Sequence, residues 1–210
     1  MRTYTAKEMA RIQSGRCEGC GACCRGMGDT IRLDPLDVHE LCLHLQKTFA
    51  DLLEEYVDLH VEEGVILPHL RMREEEAEPC VFLSDDGRCD IHPIRPGFCR
   101  LFPLGRDYDG ETFRYFVVEG GCPMTDLSKV RIDKWLGIEE IEPYEKFVAD
   151  WHYFVKDIKT SLQGASDPEE RKRKNLTLLE TFYATPFDPM RNFYLQFAMR
   201  LKRARRILEE

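Results

Sequence analysis

The sequence predicts an α+β chain: a small cysteine-rich module of β-hairpins and helices over residues 1–127, then a helical segment over residues 128–210 packed on it. Three observations support this reading. Cysteines gather in Gly-rich loops, all but one of them before residue 100. Turn signals between apolar runs mark hairpins in the first half. Past about Ser128 the apolar residues recur at helical spacing.

The chain has 210 residues, a length that suits one domain with an extension or two small ones. Hydrophobic residues make up 43%, enough for a real core. Asp and Glu outnumber Lys and Arg by 38 to 30, a net charge of −8, which argues against generic binding to nucleic acid or to an anionic membrane. No stretch approaches the ~20 apolar residues of a membrane span. Residues 1–14 lack the apolar run of a signal peptide. The expected location is therefore cytoplasmic, where disulfides are rare.

Taken in order, residues 15–28 read as a loop rich in Gly, Cys and Arg, and residues 30–33 as a short extended piece. Asp34-Pro35 is a helix start, with Asp as the cap and Pro in the first turn. Val38, Leu41, Leu45, Phe49, Leu52 and Tyr56 keep a helical beat, with a break near Lys47 and Thr48 dividing two helices. Residues 65–123 read as strands and turns. Ser84-Asp85-Asp86-Gly87 closes a first hairpin, placing Leu83 opposite Arg88 and Phe82 opposite Cys89. Asp109-Gly110 closes a second, with Phe113, Tyr115 and Val117 on one face. Beyond Ser128 everything reads as helix. Tyr144, Phe147, Val148, Trp151, Phe154, Val155, Ile158 and Leu162 form one stripe. Asp167-Pro168-Glu169-Glu170 starts another helix. Met190, Phe193, Phe197, Leu201, Ala204 and Leu208 form the last stripe.

Nine cysteines need an explanation. One group is Cys17-x2-Cys20-x2-Cys23-Cys24. A second is Cys80-x8-Cys89-x2-His92-x6-Cys99. Cys122 follows, next to Pro123. In a reducing compartment such clusters point to metal rather than to disulfides. A Cys-x2-Cys turn lets two sulfurs approach one ion at ~2.3 Å, and the glycines at 19, 21, 26 and 28 permit the tight backbone required. The side chains of the neighbours Cys23 and Cys24 are expected to diverge and serve different ions. Arg16, Arg25, Arg88, Arg95 and Arg100 flank the cysteines and are candidates to balance thiolate charge. Cys42 differs: it lies on the helical stripe with Val38 and Leu45 and reads as core. His92 reads equally as a ligand or as a cap at a strand end. His39, His44, His60, His69 and His152 show no ligand pattern.

The run Cys17-Glu-Gly-Cys20-Gly-Ala-Cys23-Cys24, joined to Cys80-Val-Phe-Leu, Cys89-Asp-Ile-His and Arg95-Pro-Gly-Phe-Cys99-Arg-Leu-Phe-Pro, resembles the YkgJ-type cysteine-cluster family over about residues 17–123. That family is described as a zinc- or iron-chelating domain with the signature CxxCxxCC. The resemblance implies metal ligands at Cys17, Cys20, Cys23, Cys24, Cys80, Cys89, Cys99 and Cys122. Members with Tyr at the position of His92 weaken it as a ligand. The flagellin lysine methylases are similar in this cysteine region, where an iron–sulfur centre accompanies S-adenosylmethionine chemistry. They imply an alternative, a metal-cluster-dependent protein-modifying methyltransferase or oxidoreductase. The chain has no GxGxxG-like nucleotide loop after a strand and no recognisable acid–base pair.

Two fillings stay open. Cys17, Cys20 and Cys23 match the start of a ferredoxin-type loop for a [4Fe-4S] iron–sulfur cluster, with Cys122-Pro123 as its terminal Cys-Pro and zinc on the remaining cysteines. Alternatively, eight thiolates make two closed four-sulfur zinc sites. The expected function is thus metal binding, with zinc or iron as cofactor and a protein partner docking on the helical C-terminal segment. The basic runs at residues 171–174 and 200–206 read as solvated helix faces.

Overall fold

The computed structural model describes residues 1–14, 20–164 and 167–209. The elements are β1 (Thr3–Tyr4), β2 (Met9–Gln13), α1 (Pro35–Leu45), α2 (Phe49–Glu55), β3 (Val57–Glu62), β4 (Val65–Leu70), α3 (Gly97–Leu101), β5 (Leu104–Tyr108), β6 (Phe113–Val117), β7 (Ser128–Arg131), α4 (Ile132–Leu136), α5 (Ile141–Gly164), α6 (Pro168–Leu179) and α7 (Phe193–Glu209). The class is α+β. The strands form three small antiparallel sheets: β1-β6-β5, β2-β7 and β3-β4.

Local chemistry explains the helix boundaries. Asp34 caps α1 by accepting from the N–H groups of Leu36 and Asp37, and the Asp37 carboxylate accepts from the Asp34 N–H in return. Gln46 ends α1 in a left-handed conformation. Thr48 and Asp51 repeat the capping box at α2, so the break foreseen near Lys47 and Thr48 is there. Asp167 caps α6 with Pro168 in its first turn.

Three expectations fail for tertiary reasons. Residues 128–131 are strand, not helix: β7 pairs with β2 from Met9↔Arg131 onward, and the next two N–H groups, of Ile132 and Asp133, donate to the Glu8 and Ala6 carbonyls. Residues 97–101, read as strand and turn, form α3. Met190 stands 90% exposed in a turn ahead of α7, whose first N–H groups are met by the Asn192 side chain and carbonyl. Phe187 takes the place expected for Met190, its ring 4.5 Å from Phe193.

One apolar core runs from Ala6 to Ala204. Its centre is aromatic. Phe147 meets Phe197 edge-on at 4.6 Å, and Trp151 meets Phe182 at 5.0 Å. The α5 and α7 stripes therefore face each other, with α5 and α6 packed on β4. Among the described residues no helix is long and apolar enough to cross a membrane.

Two polar clamps fix the helices to the β3–β4 hairpin. Buried Asn175 on α6 accepts from the Ile66 N–H at 2.7 Å and donates to the Gly64 carbonyl at 2.9 Å. On the other side Glu62 gathers His69 at 2.8 Å, Lys159 at 3.0 Å and Arg32 at 3.1 Å.

Asn175→Ala leaves the Ile66 N–H and the Gly64 carbonyl without their partner, so a loss of about 1–3 kcal/mol in chemical denaturation is expected. The Glu62 carboxyl is held at about 2, below its ordinary 4.5, first by the hydrogen bond from His69 and then by Arg32 and Lys159. A carboxyl lowered by folding stabilises the fold above its unfolded value and loses that contribution as it protonates. Stability should therefore fall between about pH 4.5 and pH 2, and Glu62→Gln should flatten this part of a denaturation-against-pH curve.

Candidate metal centre

The centre is built by strapping one loop onto another. Gly21, at φ +59°, begins a short 3₁₀ turn over Ala22–Cys24. A β-carbon on Gly21 would stand 3.3 Å from both the Gly87 carbonyl oxygen and a Leu83 methyl group, so the loop lies directly on the 84–87 turn. Cys80 N–H donates to the Cys24 carbonyl at 2.8 Å. Arg25 pairs with Pro79, and the Gly26 N–H reaches the carbonyls of Ala77 and Glu78 at 3.0 and 3.1 Å. On its other side Cys80 pairs with Met72, just past β4.

The turn after Cys80 sets the place of Cys89. Ser84 N–H and hydroxyl both donate to the Arg88 carbonyl at 2.8 Å. Ser84 therefore stands opposite Arg88, and Leu83 opposite Cys89. This register is one residue from the expected one, in which Phe82 faced Cys89; Phe82 instead accepts from the Asp90 N–H. The chain continues through a 3₁₀ turn at His92–Ile94 into α3, which carries Cys99. Gly97 N–H donates to Asp37 at 2.7 Å, fixing α3 to the capped end of α1.

Cys23, Cys24, Cys80, Cys89 and Cys99 come into one electrostatic neighbourhood. Cys23 and Cys24 do not diverge: their sulfurs are 4.0 Å apart. The hydrogen bond from Cys24 is the main reason the Cys23 thiol falls to about 6, with Arg95 contributing to the drop. The same bond pushes the Cys24 thiol up, as do burial and the charges of Cys23, Cys99 and Cys89. Burial raises Cys80 to about 11, helped by the charges of Cys89 and Cys23. Burial likewise raises Cys89, with the charges of Asp90 and Cys23 adding to it. Cys99 is raised first by burial and then by Cys80, Asp37, Cys89 and Cys23. These thiols thus resist joint ionisation until a cation is supplied.

The other expected ligands are placed differently. Cys17 lies outside the described residues, as does Arg16. Cys20 and Cys122 are half-buried. Among the described residues, no three Cys, His, Asp or Glu side chains already stand at metal-ligating spacing. Cys42 packs partly buried against the core, which raises its thiol to about 11.

Among the described flanking arginines, Arg95 is the one whose charge lowers Cys23 and Cys89. Its Nε is buried with no hydrogen-bond partner, and its Nη1 lies 2.9 Å from His92 Nε2. Arg100 instead binds the carbonyls of Pro93 and Leu136, and exposed Arg88 pairs with Asp86. His92 is exposed and donates its backbone N–H to the Cys89 carbonyl. Sequence reasoning missed Asp37 as the anchor of the Cys99 helix. The Asp34-x-x-Asp37 capping pattern was a visible signal, but it gave no hint of Gly97.

The family model CxxCxxCC, described as "Putative zinc- or iron-chelating domain", matches residues 16–123, just over half of the chain. No curated protein and no solved structure matches it. The matched span begins one residue before Cys17 and ends one residue after Cys122, so it encloses all nine cysteines. This chain belongs to the CxxCxxCC family.

Proposed function

We propose that the chain is a metal-binding protein that holds zinc or iron through Cys17, Cys20, Cys23, Cys24, Cys80, Cys89, Cys99 and Cys122, and that the metal fastens its loops into one rigid surface. The observation that carries this reading is the approach of the Cys23 and Cys24 sulfurs to 4.0 Å beside Cys80, Cys89 and Cys99. Two thiolates on one tetrahedral ion stand about 3.8 Å apart, given metal–sulfur bonds of ~2.3 Å. The donor set suits the ions: soft thiolates accept both zinc and iron.

A bound ion supplies the positive charge that lets neighbouring buried thiols ionise together. The chain supplies the rest. The bonds between residues 24–26 and 77–80 hold two of the ligand loops in contact. Asp37 holds the helix that presents Cys99. Arg95 adds a fixed cation at the thiol cluster, where its guanidinium favours the Cys23 thiolate. The α5–α7 layer, whose outer side exposes Leu195 and Met199, is the face we assign to a protein partner.

Elemental analysis of the full chain, purified without oxygen, tests the reading. Zinc or iron should co-purify, and Cys80→Ser and Cys89→Ser should each lower the metal per chain by half or more. Cys42→Ser should leave it unchanged. Full metal content in both ligand variants would refute the assignment. A coloured protein with broad visible absorption identifies an iron–sulfur cluster, whereas zinc leaves it colourless.

Ligand thiols must lose protons to bind metal. Cys80, raised to about 11, is protonated at neutral pH in the metal-free chain. Metal uptake at pH 7 should therefore release protons, at least one per ion, in a weakly buffered titration. Acidification should drive the metal off.

A further inference from the structure

A cavity of about 330 Å³ lies away from the cysteines, between α5 and the extended segment that carries Arg32. Trp151 and Val155, both buried, supply its apolar floor. His152, Lys156, Lys159 and Thr160 line it at helical spacing along one face of α5, with Arg32 across from them. Three cations thus converge on one pocket of a chain whose net charge is −8.

The cations are not all neutralised. Glu62 binds Arg32 through Nη1 and Lys159 through Nζ, which fixes both side chains in position. Lys159 also reaches Glu63, the one acid on the cavity wall. The Lys156 ammonium has no hydrogen-bond or ion-pair partner among the described residues. The His152 ring is stacked on Tyr108 at 3.5 Å and nearly parallel to it. Its imidazole is held down to about 4, first by burial and then by Arg32, Lys156, Arg106 and Lys159. The imidazole thus stays neutral at physiological pH beside a positive field, free to donate one hydrogen bond without adding charge.

We propose that this cavity is an oxyanion-binding site that takes a phosphate group, with the Lys156 ammonium as the unpaired cation, Arg32 and Lys159 as prepositioned ones, and the His152 imidazole as a neutral hydrogen-bond donor, while the Thr160 hydroxyl donates to the Lys156 carbonyl at 3.0 Å. The volume suits inorganic phosphate or a small phosphate monoester, whose organic part would rest on Trp151 and Val155. The site shares no residue with the cysteine cluster and does not depend on metal.

The test is titration of the full chain, as purified, with inorganic phosphate and with phenyl phosphate at low salt, followed by NMR of the His152 imidazole. Saturable shifts at His152 are expected, together with a rise in its pKa once the anion offsets the cations. Lys156→Ala should weaken binding at least fivefold and Lys156→Glu should abolish it, while Lys172→Ala, on the exposed face of α6, should change nothing. Equal affinity for the two probes assigns free phosphate. Tighter binding of phenyl phosphate assigns a phosphorylated small molecule. Absence of a saturable shift with either probe, or undiminished binding by a folded Lys156→Glu chain, would overturn the proposal.

Discussion

The bond from the Cys80 N–H to the Cys24 carbonyl, with the neighbouring contacts of Arg25 and Gly26, is the constraint on which the cysteine region turns. It joins segments more than fifty residues apart in the chain. Backbone pairing of this kind fixes Cα positions without using any side chain. The Cys24 thiol meets Cys23 instead, and the Cys80 thiol the Phe82 N–H. Everything downstream inherits that placement: the 84–87 turn sets Cys89, and α3 sets Cys99.

Charge is distributed in two regimes. Around the cysteines, burial and mutual repulsion hold most thiols protonated, with Cys23 and Arg95 as an anion–cation pair at the edge. Beside α5 the balance reverses: burial first, and then Arg32, Lys156, Arg106 and Lys159, lower a histidine instead. The β3–β4 hairpin and the residues just after it touch both. Its Glu62 neutralises part of the cationic side, while the segment following β4 pairs with Cys80. A buried group of either sign is tolerated only where an opposite charge or a hydrogen bond meets it.

The buried Asp34–Asp37 pair links the regimes structurally. Burial raises both carboxyls, and the Asp34 charge raises Asp37 further. Both carboxylates nevertheless accept backbone N–H bonds, and the charge of Arg106, whose guanidinium donates to the Tyr144 hydroxyl at 3.0 Å, opposes the rise of both. A helix cap has thus become a tertiary joint. The Asp37 carboxylate, which completes the capping box begun by Asp34, also anchors Gly97, where a β-carbon would stand 2.9 Å from the Tyr144 oxygen.

Local chemistry alone determined the helix starts at Asp34, Thr48 and Asp167, the second hairpin at Asp109-Gly110, the aromatic stripe of α5 and the two cysteine groups. Each depends on neighbours within a few residues, so spacing suffices to read it. Three features depended on partners distant in sequence: strand at β7, the gathering of Cys23 and Cys24 with Cys80, Cys89 and Cys99, and the placement of Arg95 beside them. The β7 strand exists because β2 is there to pair with it. Arg95 acts because α3 and the 3₁₀ turn before it fold its guanidinium toward thiols that come from three separate segments. Such contacts gain their energy only once the chain has closed over long loops, and no local pattern records them.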